Sequence, residues 1–158
     1  MTVKSVSPWY EIQDSTSYWE AFEQEQIVWG NLNEYPKFAL VDGGTYLNAP
    51  AVTMVSNSKY LLGIMNSQIA EYFVSRIAAK RQGRAFEYKK MYVEQLAIPV
   101  RPKNEEISFL VTQILSAKQT NPSADTKNLE QKTDHLVYQL YDLTDEEVSM
   151  VEGATVRR

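Results

Sequence analysis

The sequence predicts an α+β fold: a small, mostly antiparallel sheet with a hairpin, packed by helices, and a helical C-terminal part. Three observations lead there. Strand-like runs come first and helical periodicity comes last, an order that argues against an alternating parallel sheet. An Asp-Gly pair divides two runs suited to strands, Phe38–Val41 and Thr45–Val55. From Asn57 onward apolar residues recur at helical spacing, with serine, asparagine and threonine at the starts.

Each element follows from local chemistry. Ser17-Tyr-Trp-Glu20 reads as a capping box, in which serine and glutamate satisfy each other's free amides, and it opens a short helix carrying Trp19 and Phe22. Ile27-Val-Trp29 reads as a brief strand. Phe38–Val41, the turn Asp42-Gly43-Gly44 and Thr45–Val55 read as a β-hairpin, because Asp-Gly supplies the positive φ that tight hairpins need. Asn57 or Ser58 then caps one helix whose apolar positions Leu61, Met65, Ile69, Phe73 and Ile77 repeat every four residues, with Gly63 tolerated inside it. The run from Arg76 to Pro99 is a basic turn broken by Gly83, an aromatic-basic stretch, and a short apolar strand ended by proline.

Beyond Pro102, Asn104 caps a helix with Glu105 and Glu106 in its first turn, where the helix dipole favours acids. Ile107, Leu110, Val111, Ile114 and Leu115 give it one apolar stripe, and Asn121-Pro122 ends it. A helix over about residues 125–142 presents Leu129, Leu136, Val137, Leu140 and Tyr141. Thr144-Asp-Glu-Glu147 is a second capping box, starting a last helix that stops at Gly153.

Composition bounds the function. At 158 residues the chain is one domain's worth, enough to bury roughly 70% of its unfolded surface. With no cysteine, disulfides, thiolate metal sites and cysteine nucleophiles are excluded, and a reducing compartment fits. No apolar run approaches the ~20 residues of a membrane span. His135 is the only histidine; beside Asp134 it reads as an exposed helix-face residue before it reads as half of a dyad. No phosphate loop, G-x-S-x-G or dinucleotide fingerprint is present, and Gly43-Gly44 reads as a turn. By itself the chain does not read as an enzyme, and no catalytic or metal-ligating set is assigned. Both ends, MTVKSVSPWYEI and GATVRR, read as cut edges of a longer chain.

Charge is unevenly placed. Residues 11–58 carry seven acids against Lys37 alone, and residues 104–152 carry ten acids against Lys118, Lys127 and Lys132. Between them Arg76, Lys80, Arg81, Arg84, Lys89, Lys90, Arg101 and Lys103 face only Glu87 and Glu94, in a chain of net charge −4. A basic island in an acidic protein is a candidate polyanion footprint. Lys80, Arg81, Arg84, Lys89 and Lys90 are the candidates for phosphate contact, and some of the arginines or lysines can also read guanine. Gln82 and Asn48 have amides able to read adenine, Gly83 lets backbone approach a duplex closely, and Tyr88 could stack or donate to phosphate. Core packing is the competing reading for Tyr88 and Phe86, hairpin packing for Tyr46 and Leu47, and turn formation for Asn48.

The segments YLLGIMNSQIAEYF, GRAFEYKKMYVEQLAIP and DHLVYQLYDLTDEEVSMVEG, taken in order, resemble the TaqI-like C-terminal specificity domain. WYEIQDSTSYWEAFEQEQIVWG and FALVDGGTYLN are similar to its opening. The resemblance spans Pro8 to Gly153. Gly83 to Pro99, with the helix after it, is also similar, more distantly, to specificity subunits of type I restriction systems. That domain is the target recognition module of type IIG restriction-modification enzymes and related adenine DNA methyltransferases. The resemblance implies a target-recognition α/β core over residues 1–103 and a helical part of the same domain over 104–158. It implies double-stranded DNA as one partner and the methyltransferase catalytic domain of the same parent chain as another, with no membrane. It implies no cofactor in this piece, S-adenosylmethionine belonging to a missing catalytic domain with an N-P-P-Y-type motif, and a prokaryotic cytoplasmic setting. Because the reading loops of this family vary most, it assigns no base contact residue by residue. The competing reading is a protein-interaction or scaffolding module in which the amphipathic helix 104–119 docks a partner helix; a hydrolase built on His135 comes third.

Overall fold

Strand β1 (Gln26–Gly30) is the centre of a computed structural model that describes residues 19–81, 83–99 and 104–155. Ile27 is fully buried and Trp29 nearly so, and β1 pairs antiparallel on both sides, with β3 (Phe38–Val41) and β4 (Ala51–Val55). A second, two-stranded antiparallel sheet joins β2 (Leu32–Asn33) to β5 (Phe86–Glu87). Six helices cover the rest, so the expected α+β class holds.

The expected hairpin does not form. β3 and β4 lie on opposite edges of β1, in the order β3-β1-β4, and never touch as a pair. The Asp-Gly signal reports only that a turn begins. The apolar run of β1 needs partners on both edges, and the residues between β3 and β4 cross from one edge to the other. That crossing is held by specific contacts. The Gly44 amide donates to Phe22 O at 2.7 Å, and the buried Gln26 donates to Thr45 O at 3.0 Å while accepting from Thr53. Gly43 is required by packing, since a Cβ there would lie 2.3 Å from Glu23 O. Trp19–Glu23 is a 3-10 turn rather than a helix; the capping serine expected for it, Ser17, lies outside the described residues.

The single helix expected from residue 57 to Ile77 is two: α1 (Lys59–Met65) and α2 (Gln68–Ile77). Ser58 caps the first and Ser67 the second. Between them the Asn66 amide behaves like a short strand, accepting from Phe38 N at 3.0 Å and donating to Phe38 O at 2.9 Å on the edge of β3. The fourfold repeat is therefore only partly the buried stripe: Met65 and Ile69 are buried, whereas Ile77 is 37% exposed.

After α3 (Lys90–Val93), Ala97–Pro99 is not a strand but an extended strap. The Tyr141 hydroxyl donates to Ala97 O at 2.5 Å and the Tyr60 hydroxyl donates to Pro99 O. Helices α4 (Asn104–Thr120), α5 (Lys127–Leu140) and α6 (Asp145–Ala154) follow; the side chain of Asn104, expected to cap α4, is outside the described set. Ile107 and Val111 of α4 press onto Gly63 of α1, where an added Cβ would lie 2.8 and 2.9 Å from their methyl groups. Gly63 is thus a contact requirement, not merely a tolerated weakness. The Thr144–Glu147 capping box forms as expected, and α6 runs one residue past Gly153, which faces open space. Asp134 of α5 accepts from the Gln68 amide at 2.8 Å, so it caps α2 across the molecule. No helix among the described residues is long and apolar enough to cross a membrane.

Candidate nucleic-acid interface

Helix α2 stops because Ala78 turns extended, and the chain enters a short β-hairpin that the sequence reading treated only as a basic turn. The Glu87 amide donates to Ala79 O at 3.1 Å, Lys80 bridges Phe86, and the Arg81 amide donates to Ala85 O at 2.8 Å. Gly83 at the tip has φ +77°, the left-handed region that suits glycine. Gln82, its neighbour, lies outside the described residues.

The two-residue alternation of strands sorts the side chains. Phe86 and Tyr88 lie on one face together with Lys80, which bridges Phe86. Arg81, Glu87 and Lys89 lie on the other, where Glu87 is buried. Tyr88 is 1% exposed, its ring 6.0 Å from that of Phe38, which in turn is 5.2 Å from Trp29. The Trp29 indole donates to Tyr88 O at 2.7 Å, and the Tyr88 amide donates to Asn31 O at 2.8 Å. Tyr88 is therefore a core anchor for the hairpin base, and its expected role as a stacking or phosphate contact is corrected. Phe86 is half-buried against the core.

On that second face the buried Glu87 organises the charge. Its Oε1 accepts from Arg81 Nε at 2.6 Å and from Arg81 Nη2, while Oε2 meets Lys89 Nζ at 2.9 Å. Hydrogen bonds from Lys89 and then Arg81 hold its carboxyl below the usual carboxylate range. By charge count alone Glu87 is one of two acids set against the basic excess. Its alternation with Arg81 and Lys89 across a glycine turn was the signal that could have shown the clamp.

The other candidates separate by surroundings. Lys80 and Arg84 are exposed and have no ion partner among the described residues. Lys90 is exposed and 3.9 Å from Glu94. Arg76, at the end of α2, lies over the Tyr72 ring at 4.7 Å. Asn48 is exposed in the crossing loop, its carbonyl accepting from the Ala51 amide at 3.1 Å opposite Gly30, the end of β1 that leads into β2. The exposed ring of Tyr46, expected to pack, meets Phe22, with centroids 5.2 Å apart.

His135 is exposed and 3.0 Å from the Gln139 amide nitrogen, whereas its neighbour Asp134 is engaged with Gln68. Among the described residues no three side chains that could hold a metal come together.

The TaqI-like C-terminal specificity domain matches residues 4–100, more than half of the chain. The chain belongs to that family. It is thus a specificity domain of the restriction-modification kind, carrying target recognition. The match takes in both sheets, α1 to α3 and the basic hairpin, and ends at the strap. The similarity expected over residues 134–153 lies beyond it. No curated protein matches the chain.

Proposed function

We propose that this specificity domain binds duplex DNA with the hairpin Ala79–Glu87, and that a separate catalytic domain of the same parent chain transfers the methyl group to adenine. The observation that carries this reading is the hairpin itself. It projects Lys80, Arg81 and Arg84 around a glycine tip, while its base is fixed to the core through Trp29 and Tyr88. Lys80 and Arg84, exposed and without an ion partner among the described residues, suit phosphate contact, and the anchored base sets their register on a duplex. Lys89, Lys90, Asn48 and Gln82 are the further candidates for duplex contact in this reading.

S-adenosylmethionine belongs, in this reading, to the catalytic domain. The glycine pair that could suggest a phosphate cradle, Gly43-Gly44, is packed on the backbone of Glu23 and serves the strand crossing. No residue here is assigned to that cofactor. Acting on cellular DNA in a prokaryote, the parent enzyme would work in the cytoplasm. The acidic helices α4 to α6 face away from DNA and stabilise the recognition core. Against the competing scaffold reading stands the burial of two residues of the α4 stripe, Ile107 and Val111, on Gly63.

The test is fluorescence anisotropy of a labelled random duplex titrated with the chain at low and then moderate salt. Saturable binding that weakens steeply with salt, at a slope of about −0.9 per phosphate contact, is expected. No binding at low salt would overturn the reading for the chain on its own.

A further inference from the structure

The five cations of the hairpin region are not equivalent, and the difference assigns separate work to one of them. Resting on the DNA-binding reading above, we propose that Arg81 reads a guanine and that Glu87 is the residue that positions it.

The argument is geometric. Arg81 spends one edge of its guanidinium on Glu87: Nε donates to Oε1 at 2.6 Å and Nη2 donates to the same oxygen. Glu87 is itself held from the other side by Lys89 at 2.9 Å, and its side chain is only 9% exposed, against 56% for Arg81. The carboxylate is therefore a fixed support and the guanidinium an exposed tip. Of the five N–H donors an arginine carries, two are directed to Glu87. The end-on fork formed by Nη1 and the remaining Nη2 hydrogen stays available. That fork matches the O6 and N7 acceptors of guanine in the major groove. A fork already oriented gives up less conformational freedom on binding, which favours geometric selection over mere charge attraction. Lys80 and Arg84 have no such support among the described residues, so they suit the sequence-independent phosphate contacts.

The experiment is selection of bound sequences from a random duplex pool by the whole chain, followed by affinity and salt slope for the selected and random duplexes. Arg81→Lys keeps the charge and loses the fork. Its affinity for the selected duplex is expected to fall about tenfold more than its affinity for the random duplex, with guanine preference lost at one position. Glu87→Gln releases both Arg81 and Lys89, so preference falls at the same position while random-duplex affinity holds or rises. A merely structural Glu87 would lower both together. Arg81→Gln is the second variant should the lysine form misfold. A selected site with no guanine-dependent position, or one whose preference survives Arg81→Lys, overturns the assignment and leaves DNA binding standing. Failure of the unaltered chain to bind any duplex overturns the DNA reading itself.

Discussion

The hairpin Ala79–Glu87 and the helical half from Asn104 use their polar residues in opposite ways. In the helical half they close off the fold. Thr144 and Glu147 cap α6, Asp134 caps α2 from across the molecule, and the Tyr141 hydroxyl holds the strap. In the hairpin the polar residues project outward. The buried acid of the hairpin, Glu87, pairs with two cations instead of neutralising a core. The lesson is that one half supplies a rigid, acidic backing and the other an exposed basic edge. Such a division suits a module that is gripped from behind and reads in front.

The comparison can be broken by mutations that should move binding in one half and stability in the other. The largest effect belongs to Lys80→Glu with Arg84→Glu. Duplex affinity is expected to fall more than about tenfold, with the thermal midpoint little changed, read by anisotropy and calorimetry. Next is Gly63→Ala. In an exposed helix this exchange would stabilise, but here the new methyl meets Ile107 and Val111 below 3 Å. An overpacking cost of about 1–3 kcal/mol is expected, measured by denaturant unfolding. Duplex affinity per folded molecule should hold.

Smaller is Tyr141→Phe. Burial and then the nearby Tyr60 push the Tyr141 hydroxyl up to about 12, so it remains a donor to Ala97 at ordinary pH. Its loss should cost about 1 kcal/mol. The smallest is the pH response of Glu87. Because its folded carboxyl titrates lower than the unfolded one, the clamp contributes fully above the usual carboxylate range. The contribution disappears as pH falls through the folded value. The difference in thermal midpoint between the unaltered chain and Glu87→Gln should therefore shrink on acidification, and a difference constant down to strongly acid pH would mean that the ion pairs add nothing.

The helical half was the more legible in sequence because its signals are local. The Thr144 capping box involves residues within one turn of each other and forms as expected, and of the α4 stripe Ile107 and Val111 are buried. The errors arose where distant residues decide. Asp42-Gly43 marked a turn, but whether β3 then paired with β4 depended on β1, which takes the centre. The break at Asn66 was likewise invisible to a fourfold repeat, because its reason is the edge of β3, far back in the chain. In the basic stretch, the sequence marked the glycine turn that the structure places at Gly83. It could not separate Tyr88, drawn into the core by Phe38 and Trp29, from the residues that project. Nor could counting charges show that Glu87 gathers two of them.

The most direct measurement compares two charge reversals of equal size, Lys80→Glu with Arg84→Glu in the hairpin and Lys127→Glu with Lys132→Glu on exposed α5 positions. Both change the net charge equally, so any general electrostatic effect is shared. Duplex affinity against salt should fall, with a slope shallower by roughly two phosphate contacts, for the hairpin pair alone. Equal losses from both pairs, or a loss from the α5 pair only, would contradict the placement of the DNA-binding face on the hairpin.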